Sequence, residues 1–254
     1  MKSLVKKILT RSIFLKMRNF FKIKPIMINS QDLLENNSIS DAFAWRTDKS
    51  ITTIFKYTDI LNLFLETKDT EIYFEFYNKK FEKIKEFKIS DLELSNTLHI
   101  DKKFLDGIED YGIFFVYHKT DKRKLSTVRN SCYVGYSYKK NLPSFVHGNL
   151  PVSYSNYNNN VIKFGIIGSS FRRNNKYKIQ KNFSTYDKSE ILVNNPANKK
   201  ITFQIDQDKY TLNKQHTILI EIKIKKSILI NSNCLILRPV VFSYRGSFMD
   251  AHHG

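Results

Sequence analysis

Beyond residue 70 the chain alternates apolar and polar positions with period two, in short stretches cut by polar turns. That is the pattern of half-buried β-strands. Residues 72–77, 84–89, 112–117 and 132–138 read as strands. Residues 78–80, 107–110 and 121–124 read as the turns and loops between them. The second half repeats the theme, with strands predicted at 163–167, 177–183, 191–193, 201–205, 217–224, 227–230 and 235–244. Residues 194–200 read as a turn. Pro239 falls inside the last strand and predicts an edge position or a bulge, because proline cannot donate to a ladder. Before residue 70 the signal is weaker. Residues 26–50 read as a connector, with one or two helical turns after an N-cap-like Ser30. Residues 51–66 are densely apolar and fit a strand followed by a short helix.

Many short strands with polar turns favour sandwiches or barrels over a βαβ sheet. The expected fold is therefore mainly β: two similar antiparallel β-sandwich-like modules with a short N-terminal amphipathic helix. The boundaries are 1–25 for a basic amphipathic segment, 26–69 for the connector and first elements, 70–150 for the first module and 151–254 for the second. The halves echo one another in order. Asn78-Lys-Lys, Cys132, Ser137-Tyr138, Ser144-Phe145 and His147-Gly148 are followed by Asn198-Lys-Lys, Cys234, Ser243-Tyr244, Ser247-Phe248 and His253-Gly254. An internal duplication accounts for that order.

Charge changes the picture in one respect. The chain has 254 residues, 42 Lys+Arg against 24 Asp+Glu, and a net charge of +18. That implies attraction to anionic surfaces and ligands. Lys, Asn, Ile, Phe and Tyr are used heavily, while Gly, Pro and Trp are scarce. Lysine is thus the default basic residue, and the charge alone is weak evidence for a polyanionic partner. Residues 1–25 carry eight basic residues and no acid, and removing them leaves +10. Their apolar positions recur at roughly helical spacing, which suits an anionic membrane surface or packing on the body. They form no signal-peptide core, since Lys6, Lys7, Arg11 and Lys16 interrupt the apolar run. No apolar run is long enough to span a bilayer. Cys132 and Cys234 have no zinc or disulfide spacing and read as buried thiols.

Residues that stay Trp, Arg, His, Gly or Ala against this bias mark positions under a structural or chemical need. The densest stretch is Asp41–Asp48. It holds the only Trp, with Trp45, Arg46 and Asp48 as a candidate ligand-binding set: an aromatic face and charged fork suit a sugar. The alternative is Trp45 as a core plug beside an Arg46–Asp48 pair. The C-terminus supplies Asp250, His252 and His253. With His147 they form a candidate catalytic set for proton transfer, or for a divalent metal held between the halves. The alternative is a histidine ring bonding a backbone carbonyl to fasten a terminal strand. Arg172 and Arg173 follow a Gly-Ser-Ser turn that could hold an anion.

No GxSxG, GxGxxG, HExxH, CxxC or paired-carboxylate motif is present. The leading expectation is a non-catalytic binding or scaffold protein for a glycan or other anionic surface, with no cofactor and with peripheral membrane contact through residues 1–25. The alternative is a sugar- or phosphate-directed enzyme with its His/Asp site between the modules. Nucleic acid ranks last, because the aromatic residues sit in strand patterns rather than a basic patch. The expected location is cytoplasmic, against the inner membrane face.

Overall fold

The computed structural model describes residues 37–120, 132–148, 152–156, 161–163, 175–179, 183–196, 200–222, 227–234 and 237–253, together with Phe20. The rest of segment 1–25, the turns after Ser30, the turn at 121–124 and Arg172–Arg173 lie outside the described residues.

The chain is mainly β. The first strands are β1 (Asn37–Asp41), β2 (Phe43–Arg46), β3 (Ile51–Tyr57), β4 (Thr70–Asn78), β5 (Lys83–Ile89), β6 (Asn96–Ile100), β7 (Tyr111–Thr120), β8 (Tyr133–Tyr138) and β9 (Ser144–His147). Then follow β10 (Val152–Asn156), β11 (Val161–Lys163), β12 (Asn175–Ile179), β13 (Lys188–Asn195), β14 (Ile201–Ile205) and β15 (Asp208–Leu212). The last are β16 (His216–Ile222), β17 (Ile228–Ser232), β18 (Val240–Arg245) and β19 (Phe248–His253). One short helix, α1 (Ile60–Leu65), follows β3. The side chain of Asp59 caps it by accepting from the Asn62 amide, and Glu66 closes it in the left-handed conformation.

Among the described residues the strands pair antiparallel in four sheets of four and one of three. Their orders are β2-β7-β4-β5, β6-β3-β8-β9, β12-β17-β14-β15, β16-β13-β18-β19 and β1-β10-β11. Strands β2 to β9 and strands β12 to β19 therefore follow one and the same order in their two sheets.

The two halves use different cores. In the first, Phe55 on β3 meets Phe43, Phe74 and Phe114 at 4.9–6.0 Å between ring centroids. Phe76, Phe87 and Phe104 extend the stack. In the second, buried isoleucines dominate, among them Ile191, Ile201, Ile205, Ile228 and Ile230. Leu192, Val240, Phe242, Tyr244, Met249 and Ala251 of the second half join the first core instead. They follow from the alternation along β13, β18 and β19. Ile191, Val193 and Val241 point into the second core, while their neighbours turn the other way. Cys132 and Cys234 are buried and are not joined in a disulfide.

Several local expectations are corrected. Residues 37–46, read as connector, form β1 and β2. Residues 96–100 and 208–212 are strands in which only Ile100 and Leu212 are buried, so the apolar alternation is faint. Pro239 lies just before β18, and β18 is an inner strand between β13 and β19, so the proline's missing donor is spared. Phe183 starts a 3₁₀ turn rather than ending a strand, and β13 runs on through Asn195. The terminal stretch 248–253 is β19. Asn78 ends β4, and Asn198 lies outside the described residues.

Gly112 on β7 is opposite Trp45 on β2. The indole lies across the glycine and donates from Nε1 to the Tyr77 carbonyl at 2.9 Å. A Cβ at Gly112 would sit 2.1 Å from that carbonyl oxygen and 2.9 Å from the indole nitrogen. Gly112→Ala should therefore destabilise the protein by about 1–3 kcal/mol, the usual cost of overpacking, read as a lowered urea midpoint.

Candidate functional site

Trp45 and Arg46 have no exposed surface at all. Trp45 is a core residue, and its ring is not offered to a sugar. Arg46 sits where β2 ends, and its guanidinium is fully enclosed at the junction of the two halves. Nε and Nη2 donate to the two oxygens of Asp48 at 2.8 and 2.7 Å. Nη1 donates to Glu190 Oε2 at 2.8 Å and to the Tyr244 hydroxyl at 3.0 Å. Tyr244 in turn donates to Glu190 Oε2 at 2.8 Å. The guanidinium carbon lies 4.7 Å from the centroid of the Phe242 ring, and Lys49 reaches Glu190 Oε1 from the solvent side.

Burial works against charge here, yet the ring of partners outweighs it. Burial would raise the Glu190 carboxyl, but Arg46, Lys49 and Tyr244 hold it down at about 2. Burial would likewise lower Arg46, and Asp48, Tyr244 and Glu190 together keep it above the ordinary arginine range. The residues that resisted the compositional bias are thus a structural clasp, with no face left for a ligand.

The proposed His/Asp set is divided along β19. Asp250 accepts from the Ser144 hydroxyl at 3.1 Å and from Tyr186 at 3.4 Å. The His252 ring lies 2.8 Å from the His253 carbonyl through Nδ1. His253 Nε2 lies 2.8 Å from the His147 carbonyl. The ring of His147 packs near Tyr133. Among the described residues no three His, Cys, Asp or Glu side chains are grouped to hold a metal ion. No three of these side chains therefore gather around one point as a shared metal would need. Edge strand β9 runs beside edge strand β19, and side chains supply the bonds a ladder would. Ser144 Oγ accepts from the Ala251 amide at 3.0 Å, and Asn141 donates to the Ser247 carbonyl at 2.7 Å. His253 adds one more such bond and closes the edge. Its burial, with Arg238 nearby, pushes its pKa down to about 4. The ring is therefore neutral near pH 7 and donates from Nε2.

One open groove of about 720 Å³ lies in the first half. Sequence reasoning missed it. Its walls are the segment after β2 (Thr47, Ser50, Ile51, Thr52), the loop after β6 (Asp101, Lys102, Lys103, Gly107, Glu109) and the turn after β8 (Lys139, Lys140). The loop is anchored from below. Asp101 Oδ1 accepts from the Phe104 amide at 2.7 Å, Leu105 is buried, and Thr47 Oγ1 donates to the Ile108 carbonyl at 2.8 Å. Lys102 and Lys103 are thereby held outward and exposed. Lys102 pairs with Glu109 at 3.0 Å. Lys103, Lys139 and Lys140 have no ion-pair partner among the described residues. Four ammonium groups face two carboxylates, so the groove is cationic.

No family model matches the chain, and no curated protein matches it. Among solved structures, the apo form of the Pleurotus ostreatus lectin aligns over 87% of this chain and 78% of that one, at 6% identity and a TM-score of 0.27.

Two measurements test the junction and the closed edge. Arg46→Met leaves Glu190 and Asp48 without their buried cation and should cost about 3–5 kcal/mol in chemical denaturation. His253 binds its proton less readily folded, at about 4, than in the unfolded chain at its ordinary 6.5. Its contribution is full above pH 6.5 and falls away as the pH drops toward 4, because only the unfolded state takes up the proton there. His253→Gln should flatten the loss of melting temperature across that window.

Proposed function

We propose that this is a non-catalytic binding or scaffold protein that takes up a glycan or other anionic surface through the cationic groove of its first half. The observation that carries the reading is the groove itself: lysines from two separate segments converge on one open space whose walls are anchored in the core. Its uncharged lining is Thr, Ser, Ile and Gly. The hydroxyls of Ser50 and Thr52 have no partner among the described residues and can serve saccharide hydroxyls or anionic oxygens. The carboxylates of Asp101 and Glu109 can accept from sugar hydroxyls.

Three finer points belong to the same reading. The shared strand order of β2–β9 and β12–β19 supports a duplication of one sandwich module. The acid-free segment 1–25 supports peripheral contact with an anionic membrane. A cytoplasmic protein at the inner membrane face is consistent with both. The divided positions of His147, Asp250, His252 and His253 give the enzyme alternative no support.

The groove is tested with a sulfated polysaccharide by titration at several salt concentrations. Lys102→Gln with Lys103→Gln should weaken binding about tenfold and reduce the slope of log affinity against log salt by roughly two. Lys176→Gln with Lys178→Gln removes two exposed charges from β12 and serves as the control for general attraction to a basic protein. Equal losses in the two double variants would overturn the reading.

A further inference from the structure

The backbone at the rim of the groove is in an unusual conformation. Eleven described residues have positive φ, and six lie in the three segments that supply its walls: Lys49 (51°), Ser50 (61°), Asp106 (55°), Gly107 (92°), Lys139 (50°) and Lys140 (62°). Only one of the six is glycine. For other residues the left-handed region brings Cβ against the carbonyl oxygen, and its cost is lowest for Gly, Asn and Asp. A turn with positive φ at both central positions is ordinarily filled by Asn-Gly, Asp-Gly or Gly-Gly. Here one such turn holds Lys49-Ser50, closed by the Ile51 amide donating to Asp48 at 2.9 Å. The other holds Lys139-Lys140, closed by Asn141 donating to Tyr138 at 3.0 Å. Asparagine is abundant in this chain and sits at the very next position, yet two lysines occupy the strained pair.

The strain is imposed from outside the turn. The Lys139 amide donates to the Ser50 carbonyl at 2.9 Å, which locks the two turns together. The first turn is in turn held by Asp48 on Arg46 and by Lys49 on Glu190. The ammonium of Lys139 stands 5.0 Å from the centroid of the Tyr138 ring, and Lys140 is exposed beside it. Non-glycine residues in disfavoured φ persist only where the surroundings over-determine them, and they gather at ligand sites.

Resting on the groove reading above, we infer that the Lys139-Lys140 turn is a pre-formed cationic jaw whose ligand is an acidic glycan, carrying sulfate or carboxylate groups. The fixed backbone presents both ammonium groups with no backbone ordering cost at binding, leaving only that of the two side chains. An acidic saccharide suits the site better than a nucleic acid, because no aromatic ring lines the groove to stack a base and two carboxylates sit among the lysines.

The experiment compares Lys139→Asn with Lys140→Gly, made together, against the unaltered full chain, with a sulfated polysaccharide as probe and thermal melting as the second readout. Asn-Gly relieves the strain, so the melting temperature should rise by roughly 2–4 °C while affinity falls about tenfold. Lys139→Arg with Lys140→Arg keeps the charge and should keep the binding. A more stable variant that binds as before, while Lys102→Gln with Lys103→Gln binds weakly, overturns the jaw and leaves the groove. Weaker binding with no gain in stability overturns the strain. Unchanged binding in both double variants overturns the groove reading as well. Equal displacement by a single-stranded polynucleotide through the same lysines overturns the saccharide as the ligand class.

Discussion

A guanidinium with no surface in water is tolerable only if every direction around it is answered, and that requirement organises the junction. Arg46 takes Asp48 from its own turn, but Glu190 and Tyr244 come from β13 and β18 of the other half. Neither half satisfies it alone. Desolvating such an ion costs several kcal/mol unless its geometry is good, so small displacements of β13 relative to β2 are penalised steeply. The clasp therefore fixes position more than it adds stability. Its counterpart is the edge contact of β9 with β19, where serine, asparagine and histidine side chains bond backbone groups that would otherwise face water.

This placement has a consequence for the groove. The segment after β2 serves two masters. Its Asp48 and Lys49 hold the junction, and its Ser50, Ile51 and Thr52 form a wall of the open site. The Lys139 amide is bonded to Ser50. One wall of the site is thus built on the segment that holds the junction, as pre-organised binding surfaces require.

Apolar patterning revealed most of the long strands. β4, β5, β7, β8, β14 and β17 are where the pattern places them, and β3 is where the dense apolar run of 51–66 fits a strand. It failed where the pattern is faint. β15 exposes most of its positions, and β6 buries only Ile100. β19 sets Asp250, His252 and His253 beside Phe248, Met249 and Ala251, and only Met249 and Ala251 are buried, so its alternation is faint in the sequence. The mixed order of the four sheets was not legible at all, since period and length carry no information on which strand lies beside which.

The candidate site was legible in a misleading way. Residues that resist the compositional bias did mark a special place, but Trp45 and Arg46 are rare because a tight core and a buried clasp admit no substitute. The groove lysines carry no such mark, because in this chain lysine is what any exposed position holds by default. Their information is in the backbone. A lysine in an extended strand says nothing here, whereas two consecutive lysines in the left-handed region occupy positions the chain's abundant asparagine would fill at lower cost. Conformation thus supplies the discrimination that composition removed, and it separates Lys139 and Lys140 from the lysines that merely keep the surface in water.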